Sequence, residues 1–260
     1  MKLETKASAP GTLEILYQDE DLVAVNKPPG LLVHRTALAT HETRFALQMV
    51  RDQTQGHVFP VHRLDRPTQG VLLFARNRNM ATRMSHLFQT GKIQKTYLAV
   101  VRGHVKERGT IVHPLKNIKH PQDNKRINHS LKIDDAVTDY ACLASVELPF
   151  YVDRYPTTRY CLVALIPKTG RRHQLRRHMK HISHPIVGDT VYGKSSHNRF
   201  FATHLNCTGL LLAARELCFV HPDTGIFITI TAPLDKRFQE VISKFSWDEP
   251  TKELPRFRGI

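Results

Sequence analysis

Residues 60–77, PVHRLDRPTQGVLLFARN, set one carboxylate, Asp65, between Arg63 and Arg66 and then enter an apolar run after Gly70. The run VLLFA is typical of a buried strand, so the acid lies on a turn directly before the core. Two interpretations of Asp65 are open. It is either one partner of a surface ion pair or an acid that works beside phosphates while the arginines keep it ionised.

The chain as a whole is strongly basic. Its 260 residues include 38 lysines and arginines against 23 aspartates and glutamates, which gives a formal net charge of +15. Such an excess predicts a polyanionic partner, with nucleic acid first and an anionic membrane second. With 41% hydrophobic residues, the chain is also long enough to bury a core.

Membrane and secretory features are missing from the sequence. No apolar run approaches the roughly 18–20 residues that span a bilayer, and the N-terminal MKLETKASAPG lacks the apolar segment of a signal peptide. Cys142, Cys161, Cys207 and Cys218 form no C-x-x-C pair, and their spacing fits neither a zinc site nor a disulfide framework. We therefore predict a cytoplasmic protein with reduced cysteines in its core and no membrane partner.

Apolar runs and turns alternate along most of the chain. Their patterns predict strands at 13–17, 22–25, 71–77, 95–103, 140–148, 159–167 and, as a pair, within 210–230, and helices within 43–53, 79–93 and 170–182. Hairpin connections favour an α+β fold with a mixed, largely antiparallel sheet and flanking helices. We expect a flexible N-terminal tail at 1–11, a single domain at 12–248 and a C-terminal tail at 249–260.

The densest positive charge lies in residues 169–181, TGRRHQLRRHMKH. A solvated basic face is the ordinary interpretation, but in so basic a chain we favour phosphate binding, with Lys168 and Arg171 adding charge at the entering turn. The apolar residues of the predicted helix turn part of it inward, which directs Arg176 toward the core. A buried arginine needs a carboxylate, and Asp65 is the candidate.

Two further patterns allow other chemistries. Residues 188–195, GDTVYGKS, match the phosphate-binding P-loop pattern, but the middle residues are bulky and little strand precedes them, so we interpret them as a glycine-bounded turn. His173, His178, His181 and His184 are spaced closely enough to share a metal ion. Because nearby arginines and lysines oppose a bound cation and no cysteine or carboxylate in the segment completes the set, we expect no metal.

Five blocks of sequence resemble, in order, the signature blocks of the RluA family of pseudouridine synthases. They are VNKPPGLLVH (25–34), HRLDRPTQGVLLFARN (62–77), KTYLAVVRG (95–103), PKTGRRHQLRRH (167–178) and HPIVGDTVYG (184–193). One departure is Gln69, where the family usually has serine. The resemblance implies the pseudouridine synthase fold and makes 12–248 a single catalytic domain without the N-terminal S4 domain of some members.

The resemblance also implies a reaction. In this family uracil is detached from ribose at N1, rotated and rejoined through C5, without a cofactor. Asp65 is by resemblance the essential carboxylate, either attacking a nucleotide carbon or removing a sugar proton, and either role needs its ionised form. The family pattern places Arg176 beside it as the stabilising cation. Tyr97 resembles the tyrosine that stacks on the base and is a candidate acceptor of the C5 proton, and Arg63 matches the arginine that enters the vacated stack.

The resemblance extends to a substrate. Residues 153–189 are similar to family members that modify uridine 65 in the T-stem region of tRNA, so we expect a tRNA substrate and a protein that acts as a monomer. Polar residues 116–136 are expected to form an exposed loop that contacts RNA outside the active site. The side chains expected to bind RNA are Arg63, Arg66, Lys168, Arg171, Arg172, His173 and Arg177.

Three alternatives remain open on the sequence alone. A ribosomal RNA pseudouridine synthase of the same family would have the same active site and differ only in substrate. A non-catalytic tRNA-binding module would carry the same charge, and Asp65 would then be dispensable. A metal-dependent nuclease would use the histidines and would be silenced by a chelator.

Overall fold

The computed structural model describes residues 11–34, 42–117 and 133–248, together with Leu254. Over these ranges the strands are β1 (Glu14–Gln18), β2 (Leu22–Lys27), β3 (Phe59–Pro60), β4 (Gln69–Ala75), β5 (Gln94–Arg102), β6 (Arg108–Val112), β7 (Leu115–Lys116), β8 (Ile133–Asp134), β9 (Val137–Leu148), β10 (Thr158–Pro167), β11 (Leu212–Val220) and β12 (Phe227–Thr231). The helices are α1 (Ala46–Thr54), α2 (Arg78–Gln89), α3 (Gln174–His181), α4 (Ser195–His204) and α5 (Lys236–Lys244). Two compact units result, one of residues up to Lys95 with Ala213–Asp235 and one of Thr96–Leu212 with the residues from Lys236 onward.

β4 is the centre of the first unit. It pairs antiparallel with β2 and parallel with β11, while β1 and β12 extend this arrangement by antiparallel pairing with β2 and β11. All seven residues of β4 are buried, as the continuous apolar run after Gly70 predicts, because a strand covered on both faces has no polar side. Met80 and Met84 of α2 pack into the same core.

α2 has defined ends, and both are readable from the sequence. The Asn77 side chain accepts a hydrogen bond from the Met80 N–H at 2.8 Å, which satisfies one of the donors left over at a helix start. Beyond the last helical residue, Gly91 has φ +72° and the Lys92 N–H donates to the Leu87 carbonyl. The helix predicted within 79–93 is therefore confirmed.

β10 is the centre of the second unit. It pairs antiparallel with β5 and β9, and β6 pairs antiparallel with the far side of β9. α3 packs on this sheet through the buried Leu175 and Met179, which join Cys161 and Val163 in one apolar cluster. Because most strand pairings in the two units are antiparallel and helices flank them, the predicted α+β fold with a largely antiparallel sheet is confirmed.

Two helices, α4 and α5, and four strands, β3, β6, β7 and β8, were not expected from the sequence. α4, SSHNRFFATH, has few apolar residues, and it is held in place by Phe200 and Phe201, whose rings pack against Tyr160. α5 has a readable pattern, since Phe238, Val241 and Ile242 share one buried face, but the segment is short. The residues of β6 alternate only weakly between apolar and polar, so this strand depends on its pairing with β9.

The predicted loop at 116–136 is partly outside the described residues, which lack 118–132. At its two ends the prediction of an exposed loop is wrong, because Lys116 belongs to β7, which pairs with β8, and Ala136 is buried. The pairing of β7 with β8 satisfies backbone N–H and C=O groups that would bind water in a loop. The predicted tails lie outside the described residues at 1–10, 249–253 and 255–260.

The buried cysteines agree with the prediction of thiols in the core. All four cysteines carry thiols; Cys161, Cys207 and Cys218 are buried and Cys142 is half-buried. Of the helices that the structure describes, none combines the length and the apolar character needed to cross a membrane.

Replacing Gly70 with alanine should strongly destabilise the first unit. Gly70 has φ +112°, and an added Cβ would lie 2.1 Å from the Ala214 carbonyl oxygen of the parallel partner strand. Backbone strain and overpacking together should lower the free energy of unfolding by about 2–5 kcal/mol. Urea unfolding followed by circular dichroism measures this loss.

Gly225→Ala is the matched control for that variant. Gly225 has φ +69° but nothing within 4 Å of an added Cβ, so it should lose only the strain, about 1–2 kcal/mol. Equal losses in the two variants would contradict the close approach of β4 and β11 as the reason for Gly70.

Candidate active site

Asp65 lies on an irregular segment between β3 and β4. Val61 and Leu64 are buried and fix this segment to the core, while Arg63 is exposed and Asp65 is half-buried. The Thr68 N–H donates to the Asp65 carbonyl oxygen at 3.0 Å and closes a turn directly before β4. The local sequence therefore places a carboxylate at the edge of the core on a tightly held turn.

The side chain of Lys27, the last residue of β2, stabilises this turn. Its side chain is fully buried, and its ammonium donates to the carbonyl oxygens of Pro28 at 2.9 Å, Leu31 at 2.8 Å and Arg66 at 3.1 Å. Burial lowers the pKa of Lys27 to about 7, and the charge of Asp65 opposes that shift. All three ammonium donors are satisfied, so Lys27 ties the KPPG turn to the residue that follows Asp65.

The role of Lys27 was not predicted from the sequence. The available signal was a lysine at the end of an apolar strand, where an unpaired ammonium would be costly. Two backbone-directed bonds strengthen the same junction: the Gly30 N–H donates to the Arg66 carbonyl at 2.8 Å, and Arg66 Nε donates to the Gly30 carbonyl at 2.9 Å.

Arg63 and Arg66 differ in how they are held. The exposed Arg66 guanidinium also pairs with Glu42, so some of its N–H donors are already used within the protein. Arg63 forms no hydrogen bond or ion pair with any residue in the described part of the chain. The role of both in RNA binding stays a prediction, and Arg63 is the more available of the two.

His62 anchors the other end of the segment. Its Nε2 accepts a hydrogen bond from the Leu73 N–H at 2.9 Å, and its ring stacks on Phe88 with 4.8 Å between centroids. Burial, with a smaller contribution from the charge of Lys95, lowers the pKa of His62 to about 3. The imidazole is therefore neutral at pH 7, and it orients the loop rather than transferring protons.

Arg176 lies on the buried side of α3, as the sequence predicts. Its guanidinium binds Asp189 through two hydrogen bonds, Nε to Oδ2 at 2.7 Å and Nη2 to Oδ1 at 2.9 Å, and both side chains are almost fully buried. The Tyr192 ring lies over the guanidinium, with 5.1 Å from Cζ to the ring centroid. The inward position of Arg176 is thus stabilised by a bidentate ion pair and an aromatic face.

Asp189 is held in turn by its own backbone neighbours. The N–H groups of Val191 and Tyr192 donate to Oδ1, each at 2.9 Å. Burial alone would raise the pKa of Asp189, but the hydrogen bonds and charge of Arg176 and these amides outweigh it, so its pKa lies below the usual value. Asp189 is therefore ionised at neutral pH.

The sequence analysis gave Arg176 a different partner, Asp65, and did not consider Asp189. The interpretation of 188–195 as a glycine-bounded turn agrees with the structure, where an added Cβ on Gly188 would lie 1.8 Å from the Gly209 carbonyl oxygen. Asp189 lies within that turn, and the need of a buried arginine for a nearby carboxylate is the signal that could have identified it. A pairing of Asp65 with Arg176 stays a prediction.

The other expected RNA-binding residues gather around the turn that enters α3. Gln174 shapes this turn: its Oε1 accepts from the Arg171 N–H at 3.0 Å and from Thr169 Oγ1 at 2.8 Å. Lys168 lies 3.4 Å from Asp139 and remains largely exposed. The residues of the set that share the turn and the first helical turns are Lys168, Arg171, Arg172, His173 and Arg177.

Tyr97 and His173 occupy defined positions in the second unit. Tyr97 is a half-buried residue of β5, opposite Leu165 of β10. His173 has a left-handed backbone, φ +55°, at the start of α3, and its Nδ1 lies 3.1 Å from the Tyr192 hydroxyl. Tyr192, which the sequence analysis did not single out, therefore contacts both His173 and Arg176.

The four clustered histidines have different neighbours. His178 is buried, its Nδ1 bonding Thr138 Oγ1 at 2.9 Å and its Nε2 donating to the His113 carbonyl at 3.0 Å. His181 stacks on the His113 ring at 3.6 Å, and His184 Nδ1 donates to the Arg102 carbonyl. Within the described ranges, no three histidine, cysteine or carboxylate side chains converge as a metal site requires.

Gln69, the departure from the family pattern, has a structural use. The side chain is buried in β4, and its Oε1 accepts a hydrogen bond from the Asp235 N–H at 2.7 Å. Gln69 lies beyond the turn that Thr68 closes after Asp65.

Replacing His62 with glutamine should flatten the pH dependence of stability. In the unfolded chain histidine titrates near pH 6.5, whereas folded His62 stays neutral down to a pKa of about 3. As the pH falls through this window the unfolded state binds a proton that the folded state does not, so stability is lost. Between pH 7 and pH 5 this amounts to about 2 kcal/mol.

Urea unfolding at both pH values tests this. Glutamine can still accept the Leu73 N–H but cannot titrate, so His62→Gln should lose about 2 kcal/mol less than the parent chain. His57→Gln, at an exposed histidine, should behave like the parent. A His62→Gln variant with the parent's pH dependence would contradict the buried neutral imidazole.

Asp189→Asn should unfold the protein more easily by about 3–5 kcal/mol, since it leaves the buried Arg176 guanidinium without its charged partner. Glu147→Gln is the matched control, because Glu147 pairs with Arg159 at an exposed site, where an ion pair contributes little to stability. Urea unfolding of both variants measures the difference. Losses of similar size would show that the Arg176–Asp189 pair is no more important than a surface pair.

Comparisons with known proteins identify relatives of this chain. The family model described as RNA pseudouridylate synthase matches residues 21–181. tRNA pseudouridine synthase C of Haemophilus ducreyi is 53% identical over 235 residues, covering 90% of this chain and 96% of the relative. The same-named protein of Pasteurella multocida is 52% identical over 237 residues, covering 91% and 98%.

A solved structure supports the same assignment. Human RNA Pseudouridylate Synthase Domain Containing 1 is similar with a TM-score of 0.65 and 26% identity, covering 88% of this chain and 86% of that one. Family match, relatives and fold agree with the ordered blocks around Asp65 and Arg176. The chain therefore belongs to the RNA pseudouridylate synthase family and is of the RluA type.

Proposed function

We propose that this protein converts a specific uridine of tRNA into pseudouridine, using Asp65 as its essential carboxylate. The names and the roughly half-identical sequences of the relatives support tRNA as the substrate class. The observation that carries the proposal is the position of Asp65, half-buried on a loop that Lys27 ties to the KPPG turn and that His62 anchors to β4.

Asp65 acts in its ionised form. Two roles remain for it, attack on a carbon of the nucleotide or removal of a sugar proton, and both need the carboxylate. RNA phosphates and partial burial raise the pKa of a carboxyl group, whereas a nearby cation lowers it. Arg176 is the cation that the resemblance assigns to stabilising the carboxylate.

The isomerisation needs no electron or energy carrier. The N1–C1′ bond breaks, the uracil rotates, and a C5–C1′ bond forms, after which the hydrogen on C5 leaves as a proton. Tyr97, with its phenol on a half-buried strand position, is assigned to stack on the base and to accept that proton. N1, which is freed when its bond to C1′ breaks, takes up a proton in exchange for the one lost from C5, so the product is an isomer of uridine and no electron is transferred.

The target base must leave its helix before it can react. Extrusion costs a few kcal/mol, which a side chain filling the gap offsets in part. The exposed Arg63, two residues before Asp65, is assigned to this role, and its lack of a partner among the described residues supports the assignment. Lys168, Arg171, Arg172, His173 and Arg177 bind phosphates, with Arg66 adding charge beside the loop.

The finer assignments follow the same resemblance. Uridine 65 in the T-stem region is the proposed target, and the protein is proposed to act in the cytoplasm as a monomer. The net charge of +15 supports an RNA substrate, since each phosphate neutralised releases counterions.

Tritium release from uridine C5 tests the proposed function. Unmodified tRNA carrying tritium at C5 is incubated with the protein and a chelator, without nucleotide. Rearrangement must exchange that hydrogen, so tritium should appear in water, and Asp65→Asn should lower the rate at least about 100-fold. A transcript with cytidine in place of uridine 65 should release tritium from no other position.

Asp52→Asn, at an exposed acid, is the control and should release tritium at the parent rate. Release from ribosomal RNA but not from tRNA would overturn the substrate class and favour the ribosomal alternative. Tight tRNA binding with no release from either RNA would identify a binding module instead. Release that the chelator stops would contradict the metal-free mechanism.

A further inference from the structure

The loop between β9 and β10, residues 149–157, exposes aromatic rings that the fold does not use. Tyr151 is 72% exposed and Tyr155 60% exposed, and neither makes a ring contact or a hydrogen bond with any residue that the structure describes. Phe150 in the same loop packs against Phe200 of α4, with 5.2 Å between centroids. One aromatic ring of the loop thus packs against α4, and the other two are exposed to solvent.

The loop itself is firmly attached. The Asp153 carboxylate pairs with Lys194 and lies 3.8 Å from Arg102. At the end of the loop, Thr157 Oγ1 donates to Glu147 at 2.6 Å. A surface that is already ordered loses little conformational entropy when a partner binds, so the two rings are presented in advance.

Charged side chains of both signs flank the loop, with cations in excess. In the described structure the charged side chains around the loop are the cations Arg102, Arg154, Arg159 and Lys194 and the carboxylates Glu147 and Asp153. Arg154 is exposed and directly precedes Tyr155. The partner that fits has negative charge and flat faces, which together describe a nucleic acid strand with unpaired bases.

We propose that the β9–β10 loop is a stacking surface for unpaired bases of the RNA substrate, with Tyr151 and Tyr155 against bases and Arg154 on an adjoining phosphate. The identity of the RNA rests on the proposed function. An acidic protein segment would match the charge but offers no series of flat faces, so RNA is the occupant that explains both the tyrosines and the cations. The surface adds affinity and selects RNA with unpaired nucleotides; it takes no part in the chemistry.

Binding of fluorescein-labelled, unmodified tRNA, followed by anisotropy, tests the stacking. Base–aromatic stacking is worth about 1–3 kcal/mol per base, so removing one ring should weaken binding about 5-fold or more. The double variant Tyr151→Ala/Tyr155→Ala should weaken it about 25-fold or more, if both rings act independently. Tyr151→Phe/Tyr155→Phe keeps both rings and should bind within about twofold of the parent.

Three measurements separate stacking from charge and from general surface effects. Phe227→Ala removes another exposed ring, 56% exposed and outside the loop, and should not change tRNA affinity. A blunt RNA duplex without unpaired bases should bind the alanine double variant as well as the parent. Arg154→Ala should reduce the slope of log affinity against log salt by about 0.7–0.9, the loss of one phosphate contact.

Unchanged tRNA affinity in the alanine double variant would overturn the inference, and so would an equal loss in the phenylalanine variant, since the hydroxyls would then carry the contact. If the parent chain releases tritium from tRNA and the alanine double variant binds tRNA normally, only the stacking surface is refuted. If the parent chain releases no tritium but the alanine double variant binds tRNA more weakly, only the proposed function is refuted.

Discussion

The three hydrogen bonds of the buried Lys27 ammonium are the constraint on which the Asp65 loop depends. An unpaired ammonium in the core would cost several kcal/mol, so the carbonyls of Pro28, Leu31 and Arg66 must stay where they satisfy it. Two of these carbonyls belong to the turn after β2 and one follows Asp65. The position of a half-buried acid is thereby linked to a charge that cannot move without exposing unsatisfied groups.

A second buried cation repeats this principle in the other unit. Arg176 is fixed by the bidentate Asp189 pair, which two backbone amides reinforce and which the Tyr192 ring covers. In a chain of net charge +15 that is proposed to hold a polyanion, exposed arginines and lysines bind phosphates with ease but with little precision. A buried cation is held at one position by the groups that pair with it. The acid and base of the proposed reaction need neighbouring charges at such fixed positions.

Much of the fold was predictable because its core strands are continuous apolar runs and its turns contain glycine and proline. β4, β5, β9, β10, α2 and α3 all lie where periodicity placed them. α4 was missed because its stability comes from two phenylalanines packing on Tyr160, a contact between residues distant in sequence. The ends of the predicted loop at 116–136 were wrong for a similar reason, since the pairing of β7 with β8 cannot be read from polar composition.

The sequence by itself determined the α+β class, the excess of positive charge, the position of Asp65 before a buried strand and the inward direction of Arg176. These follow from local patterns of charge and hydrophobicity. Tertiary structure alone decided which groups meet: Lys27 with Arg66, 39 residues apart, Arg176 with Asp189, 13 apart, and His62 with Leu73, 11 apart. The physical reason is that a hydrogen bond depends on the distance and direction between two atoms, and neither is set by the spacing of residues along the chain.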